Sequence, residues 1–396
     1  MGQHFSPTAP DAASHAPVVA VVVGVGYVGL ELSQTLATKN FEVVAFDVNP
    51  DRVRYVNTAT PSNVTATTDP ASLAPASLFC VCVPTPMSPD GKPDERYLRE
   101  AAALIESVAK PGASVVVESS VAPGATRRIF GGLRDRGVHV CFSPERVDPG
   151  RVDPPQHAIP KLLGGLDDAS FDACSAFYER IFDTVVRVSS AEVAEFSKLY
   201  ENTFRLLNIA FANEIAGACE TLGIDHAEVM TAVATKPFGL SGPFSAGLGA
   251  GGPCLPANAA HLVAHFDLPL LKNAAEACAA RPAQKAAEFV NFARSVCAKN
   301  VFLYGMAFKK NVDTLASSPA LAFAREVTSM FGDGNVTVYD PLVESENTVH
   351  GVNVSEDWVF DAVNADIVVV LVPHDHRETK SIDVIRSAKK HTWTVC

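Results

Sequence analysis

Positive charge is scarce in this 396-residue sequence: 32 Lys and Arg stand against 44 Asp and Glu, for a net charge of −12. No run of like charge could track a phosphate backbone, which argues against nucleic acid as a main partner. Long apolar runs are also missing. The longest, residues 18–30, is cut by Gly24, Gly26 and Gly29 and falls short of the roughly 20 residues a membrane helix needs, so no transmembrane segment is expected. No Lys or Arg precedes Lys39; the basic region of a secretory signal is absent and the expected location is cytoplasmic. The nine cysteines, at positions 80, 82, 141, 174, 219, 254, 278, 297 and 396, show neither CxxC nor paired Cys/His spacing. They read as reduced thiols, with no metal site. There is no tandem repeat of short period.

What is present is the composition of a soluble globular chain, 47% hydrophobic and 19% charged, with length enough for two or three domains. Residues 1–17, rich in Ala, Pro, Ser and His, read as a disordered leader. Its start, Met1-Gly2-Gln3-His4-Phe5-Ser6, fits the loose N-myristoylation pattern, although a plain flexible tail is the favoured reading. A first α/β domain is expected over 18–190. It opens with the strand 18–23, the turn Gly24-Val25-Gly26-Tyr27-Val28-Gly29, a helix to about residue 38 and a second strand 41–46, which together make a βαβ unit of a doubly wound parallel sheet. Further strands are expected at 78–83, 114–117 and 138–142.

After residue 188 the pattern changes. Ser189-Ser190-Ala191-Glu192 gives a capping signal, and apolar residues follow at helical spacing from Val193 to Phe211, predicting a helix over about 191–221. With the Ala-rich stretch 273–296 it defines a helical middle over 191–298. Strands at 301–304, 336–339 and 367–372 then build a second α/β domain over 299–396. The fold class is α/β: two Rossmann-like doubly wound domains joined by a long central helix and a helical middle domain.

Three groups of residues carry chemistry. The GxGxxG turn opens a helix after a strand, and Asp47 stands eighteen residues beyond Gly29. The glycines admit a pyrophosphate to the helix N-terminus, while Asp47 accepts from ribose hydroxyls and repels a 2′-phosphate, so NAD is favoured over NADP. Arg52 is placed either to stack on the adenine or to pair with Asp47, or else it is a solvated helix-start residue. On the long helix Lys198 and Asn202 are four apart, with Arg205 near one turn further on. They suit an oxyanion beside a nicotinamide, against the bland reading of a solvated helix face. Finally, Gly247-Leu248-Gly249-Ala250-Gly251-Gly252-Pro253 presents Cys254 on a loop, the setting of a nucleophilic thiol.

Taken together these residues resemble the UDP-glucose/GDP-mannose dehydrogenase family over nearly the whole chain from residue 18. Its motifs stand in order: the loop 24–29, Val83-Pro84-Thr85-Pro86, Glu118-Ser119-Ser120-Val121-Ala122-Pro123-Gly124, Ser143-Pro144-Glu145-Arg146-Val147-Asp148-Pro149-Gly150, the Lys198/Asn202 helix, the Gly-rich loop with Cys254, and Gly305-Met306-Ala307-Phe308-Lys309. The stretches 143–150, 198–205 and Lys236-Pro237-Phe238-Gly239 are most similar to the branch acting on UDP-N-acetylhexosamines. The resemblance implies an NAD-dependent, four-electron oxidation of C6 of a UDP-sugar. Cys254 would carry a thiohemiacetal and a thioester, Glu145 would be the base, and Lys198, Asn202 and Asn258 would stand around the reacting carbon. It further implies that Thr85 and Ser120 line the cofactor site, and that Arg146, Arg205, Phe244, Gly247, Gly251 and Lys309, with Glu145, Lys198 and Asn202, contact substrate. A homodimer or higher homo-oligomer formed through the long helix is expected.

Four positions depart from the family pattern: Pro253 stands for a frequent His, Asn258 for an Asp, and Thr314 and Ala316 for an Asp and an Arg. Two alternatives stay open beside UDP-glucose as substrate, the first motivated by these departures and the second by the shared dinucleotide domain, helical middle and Lys/Asn pair. One is a nucleotide-sugar-binding homologue with little activity. The other is a one-step β-hydroxyacid dehydrogenase, which has no use for Cys254 or for the part beyond residue 299.

Overall fold

The two ends of the chain each build a twisted sheet from short apolar strands, and the segments between them are helical. The computed structural model describes residues 18–88, 92–148, 150–151, 153–238, 244–332, 334–344 and 348–395. The leader, Pro149, Gly239 and Cys396 lie outside the described residues. The chain separates into two compact units: residues up to Thr85, 94–147 and 153–195 form the first, and 86–93, 148–152 and 196 onward form the second.

In chain order the first unit holds β1 (Val19–Val23), α1 (Tyr27–Thr38), β2 (Glu42–Phe46), α2 (Pro50–Ala59), β3 (Val64–Thr67), β4 (Leu78–Val81), α3 (Arg96–Val108), β5 (Ser114–Val117), α4 (Ala125–Phe130), β6 (His139–Phe142), β7 (Lys161–Gly165), α5 (Asp168–Ile181) and β8 (Val185–Arg187). Its sheet runs β3-β2-β1-β4-β5-β6-β7-β8, a strand order that reverses between β1 and β4 and so opens a crevice at the carboxyl ends of those strands. The sheet is not wholly parallel, because β7 pairs antiparallel to β6. Strands β1, β4 and β5 are buried almost throughout, as expected of strands covered on both faces. Val21, Phe79, Val115 and Phe142 pack on one side of the sheet and Leu32, Leu36, Cys80 and Tyr178 on the other.

The sequence from Ala191 continues as one helix, α6 (Ala191–Leu222), followed by α7 (His226–Ala234), α8 (Leu255–Val263) and α9 (Pro269–Ser295). Glu195, in the second turn of α6, is buried and accepts the backbone N–H groups of Gly124 (2.5 Å) and Thr126 (2.9 Å), supplying α4 with the cap its own N-terminus lacks. Further along, the buried ammonium of Lys285 on α9 pairs with Glu220 of α6 at 2.8 Å.

The second sheet combines β9 (Val301–Tyr304), α10 (Pro319–Phe331), β10 (Val336–Tyr339), β11 (Thr348–Val349), β12 (Val352–Val354), α11 (Trp358–Asn364), β13 (Ile367–Val370) and α12 (Arg377–Ser387). Its order, β11-β12-β10-β9-β13, repeats the first half of the N-terminal sheet apart from the antiparallel β11. The local geometry repeats too. Gly24 at the end of β1 has φ +87° and donates to the Phe46 carbonyl at 2.8 Å; Gly305 at the end of β9 has φ +90° and donates to Tyr339 at 2.7 Å. Among the described residues no helix is long and apolar enough to cross a membrane.

Candidate active site

In the first unit the turn after β1 is shaped by its glycines. A methyl group on Gly29 would come within 2.0 Å of the Gly24 carbonyl oxygen, so α1 can press on the turn only with glycine there. At Gly26 a methyl group would meet nothing within 4 Å. Gly26 also caps α1 without a side chain, which leaves the first amides of the helix, at Tyr27 and Val28, beside an open cradle for an anion. Asp47 follows β2; its Oδ2 accepts the Val25 N–H at 3.0 Å and its Oδ1 that of Asn49 at 2.9 Å, with lone pairs left for ribose hydroxyls. This cradle and carboxylate fit the adenosine diphosphate half of NAD. Arg52 does not pair with Asp47. It binds the carbonyls of Val25 (2.5 Å) and Gly26 (3.1 Å) and lies over the Tyr55 ring at 4.9 Å, tying the turn to α2. Thr85 and Ser120 are brought together, the Thr85 hydroxyl donating to the Ser120 carbonyl at 2.8 Å.

The same unit buries Glu145. Its Oε1 accepts the N–H groups of Arg146 and Val147, each at 2.6 Å, and its Oε2 accepts from Gln156 at 3.0 Å and Lys161 at 3.4 Å. Arg146 sends its guanidinium to the Pro160 carbonyl at 2.8 Å. Lys161, a buried cation in the apolar strand β7, also pairs with Glu118 at 2.5 Å, whose other oxygen receives the Tyr178 hydroxyl. Burial opposes its charge, but Glu118 and Glu145 overcome that penalty and hold the ammonium above its ordinary pKa.

In the second unit Lys198 is turned inward, only 8% exposed, which overturns the reading of its helix face as solvated. Asn202 follows it inward and donates to Asn258 Oδ1 at 3.1 Å; Asn258 Nδ2 donates to the Cys254 carbonyl at 2.8 Å. Two helices are thus stitched together beside an exposed thiol, with Cys254 at the N-cap of α8, where developing negative charge is favoured. Arg205 does not share that inward face. Its guanidinium is exposed and reaches Asp148 at 3.5 Å, the same carboxylate that Lys309 grips at 2.5 Å. Burial works against ionising Asp148, yet Lys309 and Arg205 hold its carboxyl below the usual range.

The loop before Cys254 is glycine-rich because of close packing. A methyl group on Gly251 would fall 2.3 Å from Pro319, and one on Gly252 2.5 Å from the Phe308 ring; neighbouring segments press directly on its backbone. Gly247 is held by Asn213, which accepts its N–H at 2.8 Å, and by Arg281, which donates to its carbonyl. Phe244, at the start of this described segment, is part-buried. In the C-terminal sheet, buried Asp340 accepts the N–H groups of Met306 (2.6 Å) and Ala307 (2.9 Å) and the ring of His374 at 3.1 Å. His374 Nδ1 in turn accepts from Asn311 N–H at 2.9 Å, so both ends of the Lys309 loop are pinned and the imidazole carries its proton on Nε2.

Comparison with known proteins decides the family. Residues 55–182 match the NAD binding domain of the UDP-glucose/GDP-mannose dehydrogenase family, residues 192–277 its central domain and residues 302–395 its UDP binding domain. The chain belongs to this family. It is 30% identical over 405 residues to an NDP-N-acetyl-D-galactosaminuronic acid dehydrogenase of Ralstonia solanacearum, covering 92% of each chain. It is 28% identical over 406 residues to a UDP-N-acetyl-D-mannosamine dehydrogenase of Salmonella typhimurium, covering 89% of this chain and 93% of that one. Among solved structures, a UDP-D-ManNAc dehydrogenase from Pyrococcus horikoshii superposes with TM-score 0.83 at 25% identity, covering 96% of this chain and 95% of that one. The fold is shared as well with a UDP-glucose dehydrogenase from Pyrobaculum islandicum, at TM-score 0.85 and 22% identity over 98% of this chain and 96% of that one.

Membership makes the chain an NAD-dependent oxidoreductase of the UDP-sugar dehydrogenase type. The turn at 24–29 precedes the matched NAD-binding stretch, and its geometry above is an independent argument for the same cofactor. Sequence reasoning passed over Lys161, Gln156 and Glu195, and gave Asp148 no role of its own. For Lys161 a signal existed, since a lysine opening the apolar run Lys161-Leu162-Leu163 needs a buried counter-charge.

Proposed function

We propose that this chain oxidises C6 of a UDP-N-acetylhexosamine from alcohol to carboxylate, with Cys254 as covalent carrier and Glu145 as base. The observation that carries the reading is the hydrogen-bonded series Asn202–Asn258–Cys254, which fixes the amides of two helices beside an exposed thiol. NAD, when bound, supplies a hydride acceptor in each of two rounds. Loss of a hydride from C6 and of the hydroxyl proton, taken by Glu145, gives an aldehyde. The Cys254 thiol then loses its proton to solvent and its sulfur bonds to the aldehyde carbon as the carbonyl π pair moves to oxygen, giving a thiohemiacetal whose oxyanion Lys198 and the Asn202 amide are suited to hold. Loss of a second hydride leaves a thioester, and water breaks its C–S bond, releasing the uronate and restoring the thiol. Asn258, having no basic atom, serves by holding Asn202 rather than by activating that water.

The N-acetylhexosamine class is supported by the names of the relatives and by the stretches 143–150 and 198–205. The cations Arg205 and Lys309, bridged by Asp148, are suited to the diphosphate. The outward face of α6 carries Phe196, Tyr200 (61% exposed), Phe204 (42%) and Phe211 (63%), an aromatic stripe suited to a second copy of this chain. The departures at Pro253, Asn258, Thr314 and Ala316 favour one other reading, a binding protein with little turnover. NADH release measured in parallel on UDP-GlcNAc, UDP-ManNAc, UDP-glucose and GDP-mannose separates the two. Two NADH per sugar with an N-acetylhexosamine is expected, and one NADH or none after Cys254→Ser. Binding of UDP-sugar without NADH from any substrate would sink the proposal.

A further inference from the structure

Glu31 is a carboxyl that the reaction above does not use. It sits on α1 one turn before Thr35, so both project from one side of the helix. The Thr35 hydroxyl donates to Gln156 at 2.6 Å, and Gln156 donates at 3.0 Å to the Glu145 oxygen that also receives Lys161. Among the described residues the Glu31 carboxyl makes no hydrogen bond and no ion pair. The charges that face it are Glu145 and Lys161; Glu118, Cys82 and Tyr178 stand behind Lys161, and the turn packed on α1 carries the part-exposed His157. Glu145 thus receives the Lys161 ammonium and the amides of Arg146, Val147 and Gln156, and the Glu31 carboxyl faces the same group from α1.

We propose that Glu31 is a positioning residue that sets the basicity of Glu145. When Glu31 is ionised, its negative charge adds to that of Glu118 near Glu145 and strengthens it as a base; when Glu31 is neutral, that contribution is gone and Glu145 is the weaker base. Burial, then the charge of Glu145, raise the Glu31 pKa to about 7, with Lys161 opposing, so the change falls within the working range of a general base. No covalent step is involved, only one proton exchanged between Glu31 and solvent. The inference rests on the reading of Glu145 as base.

The test uses the full-length enzyme with a UDP-N-acetylhexosamine. Glu31→Gln keeps the shape and removes the titration. It is expected to move the acid limb of kcat/KM down by about one pH unit and to lower the alkaline plateau about threefold. A profile that superimposes on that of the unaltered enzyme overturns the inference. Carbon-13 NMR on glutamate-labelled protein gives a readout that does not depend on turnover. A carboxyl signal lost in Glu31→Gln should titrate near neutrality and shift to lower pH in Glu145→Gln; titration in the ordinary glutamate range, indifferent to Glu145, overturns it. Should Glu145→Gln keep full turnover, the base assignment falls and the inference with it. Should Glu145→Gln be inactive while the Glu31→Gln profile is unchanged, only the inference falls.

Discussion

Asn202 donates to Asn258 across 3.1 Å, and this bond orients both amides without ambiguity. The Cys254 carbonyl can only accept, so the Asn258 nitrogen must face it; its oxygen therefore faces Asn202, which must present its own nitrogen. An aspartate at 258 would set a carboxylate oxygen against the Cys254 carbonyl in place of a donor.

Asn258→Asp should accordingly destabilise the fold by about 1–3 kcal/mol, the cost of turning a buried hydrogen bond into a repulsive contact. Urea unfolding at neutral pH measures it, and an unchanged midpoint would show that the amide pair is not holding α8 to α6.

Asp47→Asn removes the charge while keeping an acceptor for the Val25 N–H. NAD should bind about tenfold more weakly, and the preference over NADP should narrow by at least a similar factor, because the repulsion of a 2′-phosphate is gone. Calorimetric titration with both dinucleotides checks this, and an unaltered NAD/NADP ratio contradicts it.

Glu31 also links stability to pH. Its pKa is about 7 folded against 4.5 for an ordinary glutamate, so it binds its proton more tightly in the native state. The stability it contributes is complete below about pH 4.5 and is lost as pH rises through about 7. Glu31→Gln should therefore leave Tm unchanged at pH 5 and raise stability at pH 8, by about 1–2 kcal/mol after discounting for its partial exposure. Equal melting curves at pH 8 would contradict the shift.

Phe204→Asp places a charge in the middle of the aromatic stripe on α6. Because Phe204 is 42% exposed, the fold should tolerate the change, with a circular dichroism melt close to that of the parent. If two copies pair through this stripe as proposed, sedimentation velocity should show the parent sedimenting as an oligomer and the variant shifted toward the monomer; an unchanged sedimentation coefficient contradicts that pairing.

Much of this was legible in the residues. The strand at 18–23, the Gly24–Gly29 turn with Asp47, and a helix over 191–221 all follow from local periodicity and backbone chemistry, which act over a few residues. The long helix also shows where such reasoning stops. Its hydrophobic period identifies a helix but not which side faces inward: Phe196, Tyr200 and Phe204 point out, while Lys198 and Glu195 are buried. Buried polar residues there find partners far away in sequence, as Glu195 does at Gly124 and Thr126, and periodicity carries no record of a partner. The edge strand β3 and the interior strand β7 escaped for the same reason. Lys161 in β7 looks like a surface residue until Glu118 and Glu145 are seen beside it.

The close packing at Gly251 and Gly252 has a mechanical meaning. Gly252 lies under the ring of Phe308, next to Lys309, and Gly251 lies against Pro319 and the Ser317 carbonyl, so the shelf bearing Cys254 and the arm bearing Lys309 form one strut. A ligand that draws on Lys309 pulls the same strut on which the thiol rests. On the roles proposed for Lys309 and Cys254, tightness of grip and reach of the thiol are then one inherited setting, which substitutions at either end will alter together.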